Sequence, residues 1–193
     1  MANTNQIAGA QKCRLDECTL LVVDIQQRLG DAMPGKVLNR VLQNTSLLAR
    51  AANLLEVPIL HTEQYPQGLG PTHPLVLEAL PQDRKYFTKT AFSCMNADGF
   101  PAAIGGLGRR QTVLVGMEAH VCVLQTAMDL KATGAEVFVV EDAICSRRLE
   151  NYQNALDRMR AGGISIVSAE SVVFEWLGDS RHPQFKTIQG WLR

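Results

Sequence analysis

An α/β fold, with helices on both faces of a mainly parallel sheet, is predicted by three features of this 193-residue sequence. Short apolar, partly β-branched runs alternate with stretches of helical periodicity along nearly the whole chain. Residues 19–23 (TLLVV) and 112–115 (TVLV) carry no polar alternation, as suits strands buried on both faces. The connections between runs are long enough for the crossovers that parallel neighbours require.

The elements follow in order. Residues 1–17 show no sustained periodicity and read as an arm that packs on a neighbour. Residues 18–193 then make one domain, within the size that a single core sustains. A strand at 19–23 ends in the polar sequence Asp24-Ile25-Gln26-Gln27. Leu38, Val41, Leu42, Leu47, Leu48, Ala51, Leu54 and Leu55 recur at helical spacing over 36–55, and Pro58 keeps that helix out of a strand at 59–61. Residues 62–74 (TEQYPQGLGPTHP), dense in glycine and proline, read as a loop too long for a plain connector. A short helix at 75–80, a brief strand at 85–88 and a loop at 89–93 come next. A helix at 99–107 is ended by Gly105, Gly106 and Gly108. Then follow a strand at 112–116, a helix over 120–133 closed by Gly134, a strand at 137–140, a helix at 151–161 and a strand at 164–167. Residues 168–193 read as helical cover, with Trp176 and Trp191 as packing anchors.

Composition narrows the function. The 19 Lys and Arg balance 19 Asp and Glu, so no net field steers the protein to nucleic acid or an anionic membrane. No stretch reaches the roughly 18 apolar residues of a membrane span, and the first residues lack the apolar core of a signal peptide, which points to the cytoplasm. The five cysteines, Cys13, Cys18, Cys94, Cys122 and Cys145, are odd in number and lack C-x-x-C spacing, so free thiols are expected rather than a zinc site. Neither a G-x-G-x-x-G after the first strand nor a G-x-x-x-x-G-K-[ST] is present, which disfavours a dinucleotide-dependent oxidoreductase. A small-molecule substrate and no cofactor are the expectation.

Ligands of open α/β sheets sit beyond the carboxyl ends of the strands. Three reactive side chains fall there: Asp24 after the first strand, Lys89 after the strand near 88, and Cys122 in the first turn of the helix that follows Gly116. Each alone has an ordinary explanation, as a turn residue, a solvated lysine or a small core residue. Together they make a nucleophile, a general base and acid, and a positive charge. A helix N-terminus and an ammonium both favour a thiolate, and backbone N–H groups of the 118–122 turn would face a developing oxyanion.

The segment Gly116-Met117-Glu118-Ala119-His120-Val121-Cys122-Val123 resembles the strand, turn and helix around the nucleophile of the isochorismatase-like cysteine hydrolases, the superfamily of nicotinamidase and N-carbamoylsarcosine amidohydrolase. LLVVDI at 20–25 resembles that family's first strand and catalytic Asp, and Lys89-Thr90-Ala91-Phe92-Ser93 its Lys loop. The resemblance runs over about 19–170. It implies a three-layer sandwich with a six-stranded parallel sheet, a catalytic triad of Asp24, Lys89 and Cys122, and a cis peptide at Met117–Glu118. It further implies an oxyanion hole from the amides of Glu118 and Cys122, and a homo-oligomer, dimer or tetramer. TEQYPQGLG together with EAHVCV is most similar to the isochorismatase domain-containing branch.

Departures matter as much. Nicotinamidases hold a metal through an Asp-x-His pair and a further His; here the second strand runs into His61-Thr62-Glu63-Gln64-Tyr65, so no metal is expected. Ala119 stands where many relatives have Thr. Isochorismatases proper cleave a vinyl ether and lack the cysteine, so Cys122 argues for an amide, or a related carbon–nitrogen or ester bond, instead. Gln26, Tyr65, Phe92 and His120 are candidates for the substrate pocket because each lies near a triad member. The competing reading is a non-catalytic or redox-responsive oligomeric protein on the same fold.

Overall fold

The computed structural model describes residues 12–192. Six strands form one parallel sheet: β1 (Cys18–Val23), β2 (Ile59–Gln64), β3 (Lys85–Lys89), β4 (Gln111–Met117), β5 (Glu136–Cys145) and β6 (Ser165–Val167). Their order is β3-β2-β1-β4-β5-β6. The chain works outward from β1 in one direction and from β4 in the other, so the crevice between these two is the switch point where such sheets bind ligands.

Period-two alternation divides β1 between two cores. Leu20 and Val22 face one layer with Val113, Val115 and Phe138, covered by α2 (Gly35–Leu54), α4 (Pro74–Ala79) and α8 (Ala169–Leu177). Leu21 and Val23 face the other with Leu114 and Val139, covered by α5 (Phe100–Gly105), α6 (Leu124–Ala132) and α7 (Leu149–Ala161). Trp176 is buried in the first core, and Trp191 packs on it beneath the guanidinium of Arg50, 4.1 Å from the ring centre. No described helix is long and apolar enough to cross a membrane.

Several elements depart from the sequence expectation for identifiable reasons. The helix α1 (Gln27–Asp31) is five residues long and has no side-chain cap, so it leaves no periodic signal. The expected loop 62–74 gives its first residues to β2 and contains α3 (Pro66–Leu69). β2 runs on because Thr62 and Glu63, polar in sequence, are buried with side-chain partners. β5 continues to Cys145 across an irregularity in which Leu114 pairs with Val139 but Gly116 with Ile144, and Glu141 and Asp142 interrupt its apolar run. The expected helix at 120–133 opens as a π turn, Ala119–Val123, before α6. Residues 12–17 lie on this chain's own core: Cys13 is fully buried, its amide donates to Glu175 Oε2 at 2.7 Å, and the Arg14 amide donates to Gln111 Oε1 at 2.7 Å. Residues 1–11 of the expected arm lie outside the described residues.

The segment after β2 is pinned from beneath. Glu63 Oε1 accepts from both the amide and the hydroxyl of Thr72, each at 2.6 Å, and Glu63 Oε2 accepts from Tyr86 at 2.8 Å. With the Thr72 proton committed to Glu63, Thr72 Oγ1 accepts from His61 Nε2 at 2.6 Å and the ring is neutral, its Nδ1 buried without a partner. Burial, reinforced by Arg84 and opposed by Glu63, holds His61 down at about 4. A histidine depressed in the folded state contributes stability above its unfolded value, roughly 6.5, and loses it as pH falls toward the folded value. The melting temperature should therefore fall between about pH 6.5 and 4, by an amount equivalent to about 3 kcal/mol. His61→Gln should flatten that slope. Parallel pH curves for the two proteins would show that His61 titrates freely.

Candidate active site

The sheet delivers three side chains to its carboxyl edge. Asp24 follows β1 in the left-handed region at φ 50°, which Asp tolerates better than most residues and which turns the chain sharply at the strand end. Lys89 is the last residue of β3, on the sheet edge, and its long side chain spans β2 to reach Asp24. Cys122 lies in the π turn after β4, next to β1 in the sheet. Single π turns inside helices are found frequently at functional sites. The peptide between Met117 and Glu118 is cis.

Asp24 is the hub. Lys89 Nζ donates to its Oδ2 at 2.5 Å, Thr62 Oγ1 donates to its Oδ1 at 2.7 Å, and neither side chain of the Lys89–Asp24 pair is exposed. Each carboxylate oxygen keeps a second lone pair, and Cys122 is near enough for the Asp24 charge to act on its thiol. Burial pushes the Asp24 carboxyl above its usual range against the pull of Lys89. Burial also opposes the Lys89 charge, but Asp24 holds the ammonium above its ordinary value. For Cys122, burial and the Asp24 charge outweigh Lys89 and raise the thiol well above the usual cysteine range. The expectation of a thiolate favoured by Lys89 therefore meets a stronger opposing effect, and the resting sulfur is protonated beside a carboxylate.

The other residues singled out in the sequence occupy different surroundings. Gln26 is fully buried and its amide is spent on backbone: Nε2 on the carbonyls of Gln64 and Gly70, Oε1 on the Gln64 amide. Tyr65, 53% exposed at φ 35°, lays its ring over Gly68 at the start of α3. Phe92 presents a 54% exposed ring, and its carbonyl accepts from Lys89 Nζ at 3.0 Å. His120 sits between Ser146 Oγ, 3.0 Å from Nδ1, and Asn151 Nδ2, 3.3 Å from Nε2. The Glu118 carboxylate accepts from the amide and Nε of Arg147, at 3.0 and 3.1 Å, while its carbonyl accepts from the amides of Val121 and Val123 in the π turn.

A cleft of about 310 Å³ opens at this edge, with Tyr65, Lys89, Ala91, Asn96 and Asp98 in its walls. Of the three reactive residues it touches only Lys89, and Cys122 keeps 5% of its surface exposed. Sequence reading missed Thr62, Gln64 and Thr126, while Cys94, five residues after Lys89, reads in the sequence as a small buried residue or a second reactive thiol. Cys94 is buried with Sγ 3.7 Å from Thr62 Oγ1, its amide donates to Thr126 Oγ1 at 2.9 Å, and burial with the Asp24 charge pushes its thiol up to about 11. Thr62 and Gln64 share one face of β2 two residues apart. That spacing beside a strand-end aspartate was the available signal.

A family model described as the isochorismatase domain matches residues 18–171. The chain belongs to the isochorismatase family. Isochorismatase domain-containing protein 1 of Salmo salar is 40% identical over 167 residues, which cover 86% of this chain and 57% of that protein, so the chain spans little more than half its length. Isochorismatase domain-containing protein 2 of Danio rerio is 35% identical over 184 residues, 95% of this chain and 90% of that protein. Both are similar in the branch that TEQYPQGLG and EAHVCV indicated. A structure described as MAR1 ribonuclease from Caenorhabditis elegans superposes with a TM-score of 0.87 at 34% identity, covering 94% of this chain and 92% of that one. Among the described residues of this isochorismatase-family protein, no group of three or more His, Cys, Asp or Glu is placed to hold a metal ion. His61 is engaged with Thr72 Oγ1 through Nε2, and His73 instead caps α4, accepting from the Leu75 amide at 3.3 Å.

Proposed function

We propose that the protein is a metal-independent cysteine hydrolase that cleaves a small amide, or a related carbon–nitrogen or ester bond, through a thioester on Cys122. The observation that carries this reading is the buried Lys89–Asp24 pair at 2.5 Å, with Cys122 launched beside it from the turn after β4, the strand next to β1. Because the resting thiol is neutral, attack is base-assisted: as sulfur bonds to the carbonyl carbon, Asp24 takes its proton. An Asp raised by burial is a better base than an exposed one. Lys89 supplies the positive charge that keeps the buried carboxylate ionised. The amides of Glu118 and Cys122 face the oxyanion of the tetrahedral intermediate. Its collapse breaks the carbon–nitrogen bond, and Asp24 returns the proton to the departing amine. Water, deprotonated by Asp24, then attacks the thioester, releases the acid and restores the thiol.

The pocket residues keep secondary roles in this reading. Tyr65 and Phe92 stand at the rim as exposed rings that a substrate would cover, and His120 flanks the π turn. Gln26 acts through the backbone it holds. A homo-oligomer, dimer or tetramer, accompanies the proposal, supported by the exposed apolar side chains Leu75, Leu149 and Phe174.

Intact-mass spectrometry after incubation with a panel of small amides and esters tests the reading. One acyl adduct that maps to the peptide containing Cys122 is the expected result. Turnover with the adduct on another residue would overturn it, as would hydrolysis of RNA, the activity named for the C. elegans relative, that survives removal of the Cys122 thiol. Stoichiometric alkylation at Cys122 without hydrolysis of any member of the panel would favour the non-catalytic alternative.

A further inference from the structure

Lys89 has no hydrogen to spare. Its ammonium carries three N–H bonds, and four acceptors surround it: Asp24 Oδ2 at 2.5 Å, Gln64 Oε1 at 2.7 Å, the Phe92 carbonyl at 3.0 Å and the Ala91 carbonyl at 3.3 Å. Gln64 presents its oxygen because only an acceptor can face an ammonium, and its Nε2 donates to the Thr90 carbonyl at 2.7 Å. The amide thus fills the gap between β2 and the loop after β3.

Gln64 in turn is held where the sheet runs out. Pairing of β1 with β2 ends at Val23 and Thr62, because Asp24 turns the chain away at positive φ. Beyond that point the backbone of Gln64 has no strand on its β1 side. The side chain of Gln26 replaces the strand: its Oε1 accepts from the Gln64 amide at 2.7 Å and its Nε2 donates to the Gln64 carbonyl at 3.0 Å. Gln26 is fully buried, so these bonds form in a low-dielectric setting where they hold geometry well.

We propose that Gln64, braced by Gln26, is a positioning residue that takes one N–H of Lys89 and aims the ammonium at Asp24, so that Lys89 acts on Cys122 by charge and never as a proton donor. This rests on the proposed roles of Asp24, Lys89 and Cys122. It also assigns the proton returned to the leaving group to Asp24 alone.

Two substitutions at Gln64 have opposite expected effects, which a plain tether between β2 and the loop would not produce. Gln64→Glu places a second negative charge on the ammonium, weakens what Lys89 offers the sulfur, and lowers the thiolate population. Gln64→Met removes the partial negative charge from the ammonium, whose three N–H bonds still meet Asp24, Ala91 and Phe92, so Lys89 offers the sulfur more positive charge. Below the thiol's own titration, alkylation by iodoacetamide tracks that population. The rate at Cys122, followed by peptide mass between about pH 7 and 9, is therefore expected to fall about tenfold or more in Gln64→Glu and to rise severalfold in Gln64→Met. Both variants lose the Nε2 bond to Thr90, so a tether alone predicts equal rates or shifts of one sign, and either result overturns the inference. If Gln64→Glu shows no cooperative melt, Gln64→Met decides alone, an unchanged or lower rate counting against the inference. Asp24→Asn separates the two levels of the argument. It removes both the base that takes the thiol proton and the charge that most disfavours the thiolate after burial, so the alkylation rate should change clearly. If it does not change, Asp24 does not act on Cys122 and the triad itself is wrong; if it changes while the Gln64 variants match the parent, only the positioning role falls.

Discussion

Cys122→Ala is expected to reduce turnover of any true substrate by about four orders of magnitude or more while leaving the melting temperature nearly unchanged. The large loss follows from covalent catalysis. Without sulfur no thioester forms, and what survives is the residual acceleration from oxyanion donors and binding, as with other nucleophile deletions. The small change in stability follows from what the side chain touches. Cys122 contributes one sulfur to a core of many residues, and exchanging it for a methyl group costs about 1 kcal/mol at most. Initial rates on the substrate found by the mass-spectrometric screen, paired with a thermal melt, check both halves. Retained turnover would remove Cys122 as nucleophile; a collapsed melt would mean that the thiol is structural.

The strands that carry the site were readable because they are buried on both faces. TLLVV and TVLV admit few other interpretations in a chain that alternates with amphipathic helices, and their carboxyl ends named Asp24 and Cys122. Lys89 was readable only in combination with these, since a lysine by itself says nothing of the carboxylate it meets across a sheet. The polar frame was not readable. Thr62 and Gln64 sit in a stretch whose glycines and prolines announce a loop, yet their side chains complete a strand end and meet Asp24 and Lys89. Gln26 was picked out for the substrate pocket from its nearness to Asp24. Its amide is consumed by backbone, a use fixed by how β1 ends and not by any local pattern. The thiol's protonation was likewise beyond the sequence, because it depends on how completely Asp24 and Cys122 are buried together.

Gly116→Ala is expected to destabilise the protein by more than about 4 kcal/mol, enough to unfold much of it given a typical total of about 5–15 kcal/mol. Gly116 lies on β4 opposite Val23 of β1, at the switch point, with φ 140°. A Cβ built there would overlap the carbonyl oxygen of Val23 and stand 2.8 Å from both its carbonyl carbon and its Cβ. The obstacle is mostly backbone in the middle of the sheet, so no rotamer change can relieve it, and the conformation itself is one that side chains rarely adopt. The two strands would have to part at the place from which Asp24 and the Cys122 turn are launched. Even molecules that stay folded should therefore lose alkylation behaviour characteristic of a thiol beside a carboxylate. Gly35→Ala is the fitting comparison: it lies at the start of α2, nothing stands within 4 Å of a new Cβ, and the change should be neutral or mildly stabilising. Urea denaturation of the two variants reads the difference. A midpoint for Gly116→Ala close to that of Gly35→Ala would mean that β1 and β4 can separate at little cost, and the convergence of the three side chains would then need a source other than the sheet.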